Sequence, residues 1–149
     1  MKKVILALMV VCASVFADGF IGVEVGHGKE KSESQAKINT GVVKVGYENE
    51  SARLFVYGGM DHYNNNIGSA KYYGVEFDKK ISDFFAGVFM GFGKKNMKGY
   101  EASIRDTGAK VGYMVDSFDV GLKFNSRQYT ADDQRDRIVS VFVGYNFNL

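Results

Sequence analysis

Proline and tryptophan are absent from the sequence, and cysteine occurs once, at Cys12. That cysteine sits inside the opening stretch "MKKVILALMVVCASVFADGF". Two lysines, an unbroken apolar run and small residues before Asp18 follow the pattern of a secretory signal peptide. The expected cut is after Ala17, with Val15 at the −3 position. The run is shorter than the ~20 residues a spanning helix needs, which argues against a membrane anchor. A lipoprotein signal needs a small residue before its cysteine, and Val11 stands there instead. Cys12 therefore belongs to the apolar run. The chain from 18 to 149 then has no cysteine, which excludes a disulfide framework.

One-sided charge is lacking too. Removing the leader takes two of the 19 Lys and Arg and leaves 17 bases against 17 acids. No basic excess points to nucleic acid. After the leader no helix-length stretch shows an apolar period of 3.6 residues. What the chain does have is glycine, 18 residues of 149, against a norm of ~7%. It also has abundant Phe and Tyr, and an apolar period of two, which marks strands with two different faces.

Eight such segments are predicted: 20–28, 39–48, 53–60, 69–78, 83–92, 105–115, 118–127 and 137–147. The connections alternate in length. "NESA", "KKIS" and "DS" are short; "KEKSESQAKI", "DHYNNNIG", "GKKNMKGYEASI" and "QYTADDQRD" are longer and polar. Short turns at one end and long loops at the other are the layout of an outer-membrane barrel, with the short turns toward the periplasm.

One face of the segments is apolar throughout, for example Val43, Val45 and Tyr47, Phe55 and Tyr57, or Val139, Val141, Val143, Tyr145 and Phe147. The other face carries glycines, among them Gly58 and Gly112, and six charges: Glu24, Lys44, Glu76, Lys110, Asp119 and Lys123. A soluble barrel would turn the apolar face inward, and a membrane barrel turns it outward. Glycine weakens a water-facing strand but suits the crowded inner wall of a narrow barrel. The six charges are therefore expected in the lumen, with Glu24 and Lys44 as the preferred pair. Gly112 is expected to accept a serine. Eight apolar-face aromatics, Tyr47, Phe55, Phe77, Phe84, Tyr113, Phe118, Tyr145 and Phe147, gather near the short-turn end. They read as a girdle at the lipid–water interface.

The chain ends "VFVGYNFNL". This resembles the terminal assembly signal of outer-membrane barrel proteins, with Gly144, Phe147 and Leu149 matching. Phe142 stands where that family usually has a polar residue, and Leu149 replaces the commoner Phe. Together with the strand pattern, residues 18–149 resemble the small eight-stranded outer-membrane barrels: the OmpA transmembrane domain, OmpX and the opacity-type proteins. The resemblance implies an all-β, antiparallel, up-and-down eight-stranded transmembrane barrel over 18–149. It implies the outer membrane of a Gram-negative bacterium, contact with outer-membrane lipid and lipopolysaccharide, and recognition by the assembly machinery.

A non-enzymatic role in envelope integrity or surface interaction through the long loops is expected, with a small low-conductance channel as the alternative. Lipid A-modifying barrels use a His near a Ser and an acid at the outer rim. Neither His27 in "VGHGKE" nor His62 in "MDHYNN" lies in a His-x-Ser arrangement. "DDQRD" offers Asp132, Asp133 and Asp136 but lacks the glycine and spacing of a calcium loop. No cofactor or metal is expected. Lys94, Lys95 and Lys98 in "KKNMK" are candidate contacts for lipopolysaccharide phosphates, and an unidentified surface partner is a further expectation.

Overall fold

The computed structural model describes residues 19–31, 36–64, 68–97, 99–130 and 134–148. The proposed signal peptide, Lys98, Asp132, Asp133 and Leu149 lie outside the described residues. Eight strands make up the fold: β1 (Gly19–Glu30), β2 (Lys37–Glu48), β3 (Ala52–Tyr63), β4 (Gly68–Ile81), β5 (Phe84–Met97), β6 (Tyr100–Val115), β7 (Phe118–Tyr129) and β8 (Arg135–Asn148). They form one closed barrel in chain order, every neighbour antiparallel. β8 closes on β1, from Phe20 opposite Asn148 to Glu30 opposite Ile138. The alternating strand at the end of the sequence thus removes the open edge, whose unpaired backbone groups lipid could not satisfy.

The strands overrun the expected boundaries at one end, and the long loops shrink accordingly. Six residues separate β1 from β2, four β3 from β4, two β5 from β6 and five β7 from β8. "GKKNMKGYEASI" is almost wholly strand, because Lys94 to Met97 pair in register with Tyr100 to Ser103. Polar composition alone predicts a loop there. A strand rising above the membrane is polar on its outer face and need not be a loop.

The exterior is apolar through the middle of the barrel. Val23, Val43, Val75, Val88, Val111, Leu122 and Val141 are all exposed. Above this band the outward positions become Lys29, Lys71, Lys94, Arg105 and Arg137. At the short-turn end Phe84 meets Tyr113 with ring centroids 4.9 Å apart, and Phe118 meets Tyr145 at 4.8 Å. Tyr145 meets Phe147 at 4.6 Å.

Strand β3 is the exception to the expected facing. Phe55 and Tyr57 are 1% exposed inside the barrel, whereas Leu54 and Val56, 55% and 42% exposed, face out. Phe55 therefore does not belong to the girdle. Leu54 takes that place, in register with Tyr47 on one side and Phe77 on the other. Gly58 faces outward with open space around its Cα, not the lumen. Both faces of β3 are apolar at its centre, so alternation alone does not orient it. What orients it is Arg53 and Asp61, which share the parity of Phe55 and are buried.

Candidate functional site

The interior is where the sequence departs most from an ordinary protein core. Among the described residues, seven acids and six bases are buried there, alongside a smaller set of aromatics. Isolated charges at such depth would be costly, so their partners decide what the lumen can do.

Toward the short-turn end, eight charged groups form one connected chain. Asp119 accepts from Arg53 at 2.8 Å, and Arg53 lies 3.1 Å from Asp78. Asp78 is 3.0 Å from Lys110, which reaches Glu76 at 2.5 Å. Glu76 accepts from Lys44 at 2.9 Å, and Lys44 also donates to Glu24. Glu24 finally lies 3.6 Å from Lys123. The six expected lumen charges all lie inside, each on its strand's inward parity. Arg53 and Asp78 complete the set, giving four acids and four bases. Lys110 and Lys123 stand opposite each other across β6–β7. They turn to different carboxylates, which relieves their repulsion. Aromatic rings fill the gaps, with Arg53 4.5 Å and Lys110 4.9 Å from the Phe85 centroid.

Glycines make room for this packing. A Cβ at Gly87 would fall 1.9 Å from Asp78 Oδ1, and one at Gly91 would fall 2.6 Å from the Tyr57 hydroxyl. At Gly112 it would meet Phe85 Cζ at 2.4 Å and the Val120 carbonyl at 2.7 Å. Gly112 therefore has no space for the serine expected from composition.

Above the network, Tyr57 packs edge-on against Phe89 and Tyr72, at 6.4 and 6.2 Å. Above that layer Arg127 donates to Asp61 at 2.7 Å and to Asp106 at 3.0 Å. Asp61 also accepts from Thr40 and Tyr72, and Asp106 from Asn125. At the outer mouth Lys95 donates to the Tyr129 hydroxyl at 2.6 Å and lies 3.6 Å from both Glu30 and Asp136. Tyr129 in turn donates to Asp136. This mouth cluster lies above the apolar band, where the outward neighbours are Lys29, Lys94 and Arg137. Burial, aided by a hydrogen bond to Asp136, pushes the Glu30 carboxyl up to about 7, against the opposing pull of Lys95. Burial opposes ionisation of Asp136 as well, but hydrogen bonds from Glu30 and Tyr129 and the charge of Lys95 hold it below its ordinary value.

The pairing of Lys95 with lumen groups corrects its assignment as a phosphate contact. Lys94 and Lys95 are consecutive, so they point to opposite faces. Lys94 faces out and lies 2.5 Å from Glu101. Sequence alternation does not single out Arg127, Asp106 and Asp61, because they sit near or beyond the expected strand ends. For Arg127 and Asp106 the available signal is their parity with Lys123 and Lys110 on the same strands; for Asp61 it is the charge alone, since alternation puts its parity partner Tyr57 on the apolar face.

Of the terminal motif, Gly144 faces inward and Phe147 outward. Both histidines are on the outer surface. His27 Nδ1 lies 2.7 Å from Asn39 Oδ1. His62 stands opposite Ser69 across β3–β4, a neighbour that the His-x-Ser spacing could not reveal.

No protein-family model and no curated protein matches the sequence. Solved structures do match. The N-terminal β-barrel domain of Pseudomonas aeruginosa OprF superposes with a TM-score of 0.71 at 13% identity, over 86% of this chain and 97% of that one. Neisserial surface protein A (NspA) matches with a TM-score of 0.55 at 15% identity, over 87% and 97% of the two chains. The outer-membrane enzyme PagL matches with a TM-score of 0.55 at 12% identity, over 86% and 99%. At these identities the likeness is one of architecture, and it gives this chain the closed eight-stranded fold of the small outer-membrane barrels.

Proposed function

We propose that this protein is a non-enzymatic integral barrel of the Gram-negative outer membrane, and that its role is to support the envelope rather than to conduct solutes. The observation that carries this reading is the inversion of polarity. Among the described residues thirteen charged side chains are buried inside, and the middle of the exterior is apolar. The paired interior charges support an occluded lumen, since eight strands enclose only enough room for side chains. The short outer connections favour a role in the bilayer and at its surface over one that depends on extended loops.

Purified protein refolded into phosphatidylcholine vesicles should migrate faster on gels before heating than after. In planar bilayers it should give no large, stable conductance steps. Porin-sized steps would favour the channel, and recovery as a soluble periplasmic species would overturn the membrane reading. Because Ser69 faces His62, vesicles should also be assayed for released fatty acid. Release that Ser69→Ala abolishes would make the barrel an enzyme.

A further inference from the structure

On the outer surface, above the apolar band, β4 to β7 frame a groove with a volume of about 850 Å³. Lys71 of β4 stands directly opposite Lys94 of β5. One pair lower on the same two strands, on the same face, Tyr73 stands opposite Phe92, and Arg105 of β6 stands opposite Phe92. The Arg105 guanidinium is 5.6 Å from the Phe92 ring centroid. All five side chains are exposed.

Like charges facing each other across a ladder destabilise it unless something anionic lies between them. Glu101 supplies one carboxylate, 2.5 Å from Lys94. Among the described residues, Lys71 and Arg105 have no carboxylate partner. The groove is thus lined by three cations and one acid, with two aromatic rings on its lipid side. An arginine and two lysines suit a phosphate, which accepts from the guanidinium fork and from ammonium groups together. The rings below suit the acyl chains of a lipid whose headgroup sits at that level.

We propose that Lys71, Lys94 and Arg105 form a binding site for the phosphorylated headgroup of an outer-leaflet lipid, whose chains descend over Tyr73 and Phe92. This rests on the outer-membrane reading above. It moves the phosphate contacts from the Lys94–Lys98 run to a cross-strand cluster, with Lys94 the one residue in common.

The test uses the protein refolded in phosphatidylcholine nanodiscs doped with diphosphorylated lipid A or with its dephosphorylated form. Native mass spectrometry of the released protein reads the lipid retained. The phosphorylated form should be retained at least tenfold more. The Lys71→Gln/Arg105→Gln double variant should lose that preference, and Arg137→Gln, on β8 outside the groove's lining, should keep it. Inorganic phosphate in excess should leave the lipid in place. Equal retention of both lipids, an equal loss in Arg137→Gln, or displacement by inorganic phosphate would each overturn the site. Heat-dependent gel migration shows that each variant is folded. A wild-type protein that does not insert at all would fail the membrane reading, whereas insertion without headgroup preference would fail this site alone.

Discussion

Val111 and Gly112 are adjacent, and the barrel wall makes them opposites. Val111 is 47% exposed on the outer face within the apolar band, where a lysine costs ~2–4 kcal/mol in lipid. Gly112 faces inward, but Phe85 and the Val120 carbonyl already occupy the space a side chain would need. Overpacking of this kind costs ~1–3 kcal/mol. Gly144 also faces inward and is roomier, since an added Cβ would approach nothing nearer than the Val23 carbonyl at 3.4 Å. Both Val111→Lys and Gly112→Ser should therefore reduce the folded, protease-resistant fraction in vesicles, while Gly144→Ser should stay near wild type. A fully tolerated Val111→Lys would mean that the outer face does not meet lipid. Fully tolerated Gly112→Ser would mean that the Phe85 ring can yield.

Strands and their ends show how far periodicity carries. Seven strands face as their alternation indicates, because each has glycine or charge on one side and apolar groups on the other. In β3 the central side chains are apolar on both faces, and the aromatic pair Phe55 and Tyr57 looks more lipid-like than Leu54 and Val56. Only the charges at its two ends, Arg53 and Asp61, reveal the inward parity, since an unpaired charge in lipid is far costlier than a tyrosine in a lumen. The strand overhangs were illegible for a different reason. Above the apolar band the outward positions turn polar while inward ones include Ile38, Ala70, Ala102, Ile104 and Ile138, so the apolar alternation switches parity and no longer reads as a continuation of the same strand.

The mouth cluster built on those overhangs carries a pH dependence. The Glu30 carboxyl is raised to about 7, so its protonated form is the one the folded barrel prefers. Its contribution to stability is complete below the ordinary carboxylate range and is lost as pH rises through about 7. Asp136, held low, contributes in the opposite sense: its stabilisation is present throughout the range above the ordinary carboxylate value and is lost only as pH falls below it, so it does not alter the slope between pH 5 and pH 8. The thermal midpoint of the wild-type barrel should therefore fall between pH 5 and pH 8, and Glu30→Gln should flatten that fall. A dependence unchanged in Glu30→Gln would place the titrating group elsewhere.

At the scale of the whole molecule, the lumen network behaves as one object, and its members should not contribute equally. Glu24 and Lys44 are a pair, but Lys44 has a second carboxylate in Glu76 at 2.9 Å. Glu24→Gln leaves Lys44 with Glu76 but takes from Lys123 its carboxylate at 3.6 Å; because that second contact is long, whereas both cations on Glu76 are close, the loss should be about 1–3 kcal/mol, that of weakened buried hydrogen bonds. Glu76 joins β4 to two other strands, since it holds Lys44 and, at 2.5 Å, Lys110. Removing its charge leaves Lys110 with Asp78 alone, and Asp78 is shared with Arg53. Breaking a buried ion pair costs ~3–5 kcal/mol. Glu76→Gln should approach that figure, with lumen water reducing it. Denaturant unfolding in vesicles should rank Glu76→Gln well below Glu24→Gln in stability. Lys110→Met added to Glu76→Gln should recover part of the loss, because it removes the cation left without its nearest partner. Equal losses for the two glutamates, or no recovery in the double variant, would mean that the charges are solvated separately and do not form a linked chain. A linked chain also explains why the barrel tolerates so much charge inside. Each carboxylate that two cations share anchors neighbouring or facing strands together, so ion pairs tie the barrel across its interior alongside the buried aromatic and aliphatic side chains.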